Sequence, residues 1–236
     1  MAHRRNVGAT LATLLVTTAF MIHEPAPRVG AVDQPCEVVP MPCTFEGLPF
    51  KLKVIDGQTG RPLADVHALA EWRMEGVGGR AGGPLMVKDA LSKPGGELSF
   101  EGWGPIQGPG TGLVIGYDPF ITIFKSGYNV LLSNNGYLPP ARERERVRRF
   151  VRIDTTLALE PFRGTPDEWL NQLKRVWLGV AVPRNDHTTL KFRKEYLARM
   201  RKISMERDKF PLDLRRFEAF FSQVDQELKL LEEGQR

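Results

Sequence analysis

The sequence predicts a mainly-β protein, an antiparallel β-sandwich followed by two or three C-terminal helices. Three observations carry that expectation. Between residues 50 and 159, short runs of alternating apolar and polar side chains are separated by turns rich in glycine and proline, the two-residue period of strands with one wet face. After Thr165 the apolar residues recur at intervals of three and four, the period of helices, and glycine and proline become rare. Charge divides near the same place: residues 32–140 hold 8 basic and 11 acidic side chains, residues 141–236 hold 22 and 16. A composition of 42% hydrophobic and 26% charged residues excludes a disordered, collagen-like or multi-span membrane chain.

The first 31 residues read as a secretory signal peptide. His3, Arg4 and Arg5 form a basic start, residues 7–22 are uncharged and mostly apolar, and Glu24, Pro25 and Pro27 follow. Val29-Gly30-Ala31 supplies the small residues of a cleavage site, placing the cut after Ala31. An uncleaved membrane anchor is the alternative, disfavoured because the apolar run is short of the roughly 20 residues that span a bilayer. Cys36 and Cys43 lie in the segment 32–47, and export to an oxidising compartment, periplasmic or extracellular, predicts a disulfide between them.

The sandwich is expected over residues 48–162. Phe50, Leu52 and Val54 alternate with Lys51 and Lys53, the run Asp56-Gly57-Gln58-Thr59-Gly60 is a turn, and residues 66–72 form the next strand. Leu85-Met86-Val87, Leu98-Ser99-Phe100, Phe120-Ile121-Thr122-Ile123-Phe124 and the alternating stretch 151–159 supply the others. The glycines of residues 76–83 suggest a phosphate cradle at first sight, but a following helix is lacking, so a hairpin is expected.

The run from Phe50 through Asp56-Gly57-Gln58-Thr59-Gly60-Arg61-Pro62-Leu63 to Val66 resembles the opening of a carboxypeptidase regulatory-like domain, and Asp118-Pro119 through Lys125-Ser126-Gly127-Tyr128 resembles its later strand ending in a Gly-Tyr pair. The segment from Asp89 to Phe100 is similar to the strand between them, with an insertion at residues 90–94. The loop 102–117 departs from a minimal domain. The resemblance covers about residues 48–160 and implies an immunoglobulin- or prealbumin-like sandwich of a kind widely used as a non-catalytic module. Tyr128 is expected to turn its hydroxyl back to the backbone, as tyrosine corners do.

The region 163–236 is expected to be helical. Thr165-Pro166-Asp167-Glu168 is a helix start, with a capping hydroxyl, a first-turn proline and acids at the positive end. Trp169, Leu170, Leu173, Val176, Trp177 and Val180 then share one face, a second helix is expected over 189–207, and a third from Pro211 to about residue 231.

The residues 1–31 aside, two histidines remain, His67 and His187, and neither has a second ligand at metal spacing, so no metal or cofactor is expected. Nor is there a nucleophile elbow of the form G-x-S-x-G. The sequence therefore favours an exported, non-enzymatic module with a binding or structural role in a bacterial envelope and a protein partner, with Phe217, Phe220 and Phe221 as anchor candidates. Arg142, Arg144 and Arg146 alternate with glutamates and form either a solvated strand edge or a contact for acidic polysaccharide, lipid headgroups or a partner. The competing expectation is a carbohydrate-binding protein or hydrolase with its site in loops 73–83 and 102–117, where Trp72, Trp103 and Tyr117 would stack on sugar rings. Nucleic acid is not expected for an exported chain, and membrane contact only through an uncleaved signal.

Overall fold

The computed structural model describes residues 44–75, 81–108, 114–115, 118–135, 146–152, 155–178, 191–211 and 214–233. Cys36, Cys43, Tyr117, Arg142 and Arg144 lie outside them, as does the expected signal segment.

Among the described residues the strands are β1 (Thr44–Gly47), β2 (Phe50–Asp56), β3 (His67–Glu75), β4 (Ala81–Leu91), β5 (Glu97–Phe100), β6 (Trp103–Gln107), β7 (Val114–Ile115), β8 (Phe120–Phe124), β9 (Leu131–Ser133), β10 (Val147–Arg148) and β11 (Thr156–Leu159). They form one sheet of order β11-β2-β5, a larger one of order β4-β3-β8-β9 with β7 beside β3, and a small one of order β10-β1-β6. The helices are α1 (Pro166–Leu178), α2 (Arg193–Ser204) and α3 (Arg215–Glu233), with a short 3-10 turn at Arg207–Lys209. The sheets are mainly antiparallel, so the sandwich with a helical appendage expected from the pattern is the observed architecture.

Alternation decides which side of each strand is dry. Leu52 and Val54 of β2, Leu98 and Phe100 of β5, and Leu157 and Leu159 of β11 meet Ala68, Ala70 and Trp72 of β3 and Ile121 and Ile123 of β8 in the sandwich interior. Each large apolar side chain buried there contributes roughly 1.5–3 kcal/mol relative to an exposed one. The turn after β2 reverses as its composition predicts, with the Gly60 amide donating to the Asp56 carbonyl at 2.8 Å. At the Pro94-Gly95-Gly96 turn, Gly96 has φ +77°, and a Cβ there would lie 2.4 Å from the Val54 carbonyl, so both conformation and space require glycine.

Two strands depart from the expected pattern. The last one is confined to Thr156–Leu159 and runs parallel to β2, pairing Thr156 with Lys53 and Leu159 with Asp56. The strand before it in the chain, β10, lies in the small sheet, so β11 is not joined to its neighbour β2 by a hairpin and is free of the antiparallel pairing that a hairpin imposes. β4 is longer than Leu85-Met86-Val87 because it tracks β3 along its length, with register shifts at Trp72/Arg73 and Arg73/Glu75.

The helices form a third layer on the outer face of the larger sheet. Leu69, Val87 and Phe124 from that face join Trp169, Leu170, Leu173 and Val176 of α1, Leu197, Met200 and Ile203 of α2, and Phe217, Phe220, Phe221 and Val224 of α3 in a second core. The predicted start of α1 is a reciprocal cap: the Thr165 amide donates to Glu168 Oε2 at 2.7 Å, and the Glu168 amide donates back to Thr165 Oγ1 at 3.3 Å.

Candidate functional site

Sheet alternation turns His67, Leu69 and Glu71 of β3 away from the sandwich interior and toward α2. All three are buried. On α2, Tyr196, Arg199, Met200 and Ile203 fall at i, i+3, i+4 and i+7, which places a fully buried arginine inside the apolar face. Arg199 Nε donates to His67 Nδ1 at 2.9 Å, and Nη2 donates to the Thr122 carbonyl at 2.7 Å. Because His67 Nδ1 accepts, the neutral ring carries its proton on Nε2, 3.5 Å from an Asp89 carboxylate oxygen. The Tyr196 hydroxyl donates to Glu71 Oε1 at 3.2 Å, and the other Glu71 oxygen pairs with Arg73.

Burial governs the protonation of this network. It pushes His67 down to about 4, helped by the adjacent Arg199 and opposed by Asp89. It pushes Glu71 up against the pull of Arg73, and it lowers Arg199 to about 9. These groups bond one another and backbone, with Nη1 the one guanidinium nitrogen of Arg199 buried without a partner among the described residues, and the contacts fix where α2 sits on the sheet. His67 is core-packed. The sequence pattern marks Tyr196 only as an apolar position of the second helix and does not single out Glu71 or Arg199, although an arginine amid a helical apolar stripe is a usable signal.

A second buried pair pins the end of the larger sheet. Arg148 Nε lies 3.0 Å from each Asp118 carboxylate oxygen, and Nη2 also donates to Oδ1. Asn135 bridges nearby, donating to the Asp118 carbonyl at 2.6 Å and accepting from the Val151 amide at 2.9 Å. The two motifs quoted for the family resemblance also meet: the Tyr128 hydroxyl donates to Asp56 Oδ2 at 2.8 Å, while the amides of Gln58 and Thr59 donate to Oδ1. The expected backbone partner of Tyr128 is thus a carboxylate. The Thr59 amide, then the Tyr128 hydroxyl, hold that carboxyl below its ordinary value.

The other sequence candidates disperse. Trp72 and Trp103 are interior, packed edge-to-face at 5.3 Å. Phe217, Phe220 and Phe221 lie inside the helical layer, where they cover the chain's own core. Arg146 is half-buried beside β10, and its carbonyl accepts from the Glu46 amide at 3.0 Å. Among the described residues no group of three potential metal ligands occurs, and no helix is long and apolar enough to cross a membrane.

Beside these closed networks lies an open cleft of about 400 Å³, between α1 and the sandwich end. Helix α1 contributes Glu168, Asn171, Gln172 and Arg175, at i, i+3, i+4 and i+7 on its polar face. Asn129, Phe162 and Arg163 close it from the other side. Gln172 Oε1 accepts from the Val130 amide at 3.3 Å, and the Phe162 ring rests on Trp169 with centroids 4.8 Å apart. No protein-family model, curated protein or solved structure matches the chain.

Proposed function

We propose that this chain is an exported, non-enzymatic module with a binding or structural role in the bacterial cell envelope, built on a carboxypeptidase regulatory-like sandwich. The observation that carries this reading is the use made of the reactive side chains. His67, Glu71, Asp118, Arg148 and Arg199 are all buried and bonded to neighbours that fix the packing of strands and of α2. The family resemblance is supported by the Asp56–Tyr128 bond, which gives two of its quoted motifs a shared structural task. The basic start, apolar run and small-residue cleavage site support export. The burial of Trp72 and Trp103 removes two of the three aromatics on which a sugar site in the long loops would rest.

The test of the reading is a fusion of the full chain to alkaline phosphatase, which is active only outside the bacterial cytosol. High phosphatase activity is expected, with a processed N-terminus at Val32 and a mobility difference that disappears on reduction, reporting paired cysteines. A fusion that stays inactive in the cytosol contradicts it.

A further inference from the structure

The geometry points to the cleft beside α1 as a binding site for an acidic saccharide, a sugar bearing a carboxylate; this rests on the binding-module reading above and gives it a ligand class. Charge is the first reason. Arg201, Arg207 and Arg216 of the helical region each pair with an acid, namely Glu232, Asp225 and Asp167. Arg163 and Arg175, both exposed at the cleft, have no such partner among the described residues. Glu168 stands between them, but its Oε2 is taken by the Thr165 amide and hydroxyl. Two guanidinium groups against one engaged carboxylate leave the cleft positive, and guanidinium is the side chain best shaped for a carboxylate.

The remaining lining selects a hydroxylated ligand. Gln172 spends its oxygen on the Val130 amide, so its NH2 is the end left to donate. Asn129 and Asn171 add two further carboxamides, each able to donate and accept. Phe162, held by Trp169, supplies an apolar wall for the C–H face of a sugar ring. A Cβ on Gly164 would lie 2.5 Å from the Phe162 ring and 2.6 Å from Glu168, so the backbone approaches both as closely as glycine allows. The volume falls in the range of small-molecule sites, roughly 300–1,000 Å³.

Calorimetric titration of the full chain with trigalacturonate, with neutral maltotriose and with a glutamate-rich tripeptide tests the assignment. Trigalacturonate is expected to bind at least tenfold more tightly than either comparison ligand, weakening as salt is raised. The double variant Arg163→Ala/Arg175→Ala should lose at least tenfold in affinity with an unchanged melting temperature, and Gln172→Glu should weaken binding too. Arg201→Ala, outside the cleft, should bind as the unaltered chain does. Equal binding of maltotriose, preference for the peptide, or no binding of the uronate overturns the ligand class. Uronate binding that survives the double variant overturns the site. Any of these can occur with export intact, which separates failure here from failure of the module reading.

Discussion

The two faces of the β4-β3-β8-β9 sheet are built on different physics. The face toward β11-β2-β5 is dry, filled by Ala68, Ala70, Trp72, Ile121 and Ile123, and its energy comes from non-directional burial. The face toward the helices buries His67, Glu71 and Thr122 beneath Tyr196 and Arg199, and holds α2 by bonds with direction as well as by apolar contact. The dry face needs only shape and volume to be matched. The polar face needs its partners in place, because a buried charge or donor left alone costs more than its bond contributes. An apolar surface alone would let α2 slide; the Arg199–His67 contact gives it a register.

The strongest perturbation falls on the dry face. Trp72→Ala should cost about 4 kcal/mol through lost burial and the cavity left behind, read as a lower urea midpoint. On the polar face Arg199→Ala should cost about 3 kcal/mol, while Arg199→Lys should recover little of it, since an ammonium does not reproduce the planar fork reaching both His67 and Thr122. A small loss for Arg199→Ala would erase the contrast between the faces.

Acid separates the faces as well. The His67 side chain has its folded value pushed to about 4, below the usual 6.5, so the fold favours the neutral ring. That contribution is complete above pH 6.5 and is lost as pH falls from 6.5 toward 4, up to about 3 kcal/mol. Glu71 and Asp118, which burial pushes up, act with the opposite sign and moderate the slope. His67→Gln should flatten the dependence of the urea midpoint on pH across this window, whereas a dry-face change such as Ile121→Val should shift the midpoint without altering the slope. The smallest effect expected is that of Tyr128→Phe, which removes one bond to the half-buried Asp56 and should lower Tm by a few degrees at most.

What could be read from the chain follows the same division. Alternation in Phe50, Leu52 and Val54 and the apolar spacing after Thr165 are local signals, and they gave the dry core and the helical stripes. The polar seam joins residues far apart in the chain: Tyr196 to Glu71 across 125 residues, and Arg199 to His67 across 132. No local period reports such partners. The short strands β1, β6 and β10 were likewise hidden, because two to five residues are too few to show a period. The polar stripe of α1 carries no local signal of its own, and only the fold shows that Asn129 and Arg163 stand across from it.

Native-state amide hydrogen exchange tests most directly whether the helices are an integral layer of this protein. If the seam clamps them to the sheet, the amides of α2 and those of β3 and β8 should exchange with one shared opening free energy, and Arg199→Ala should lower it for α2 first. Helical amides that exchange several kcal/mol more readily than the strands in the unaltered chain, with no response to Arg199→Ala, would contradict it.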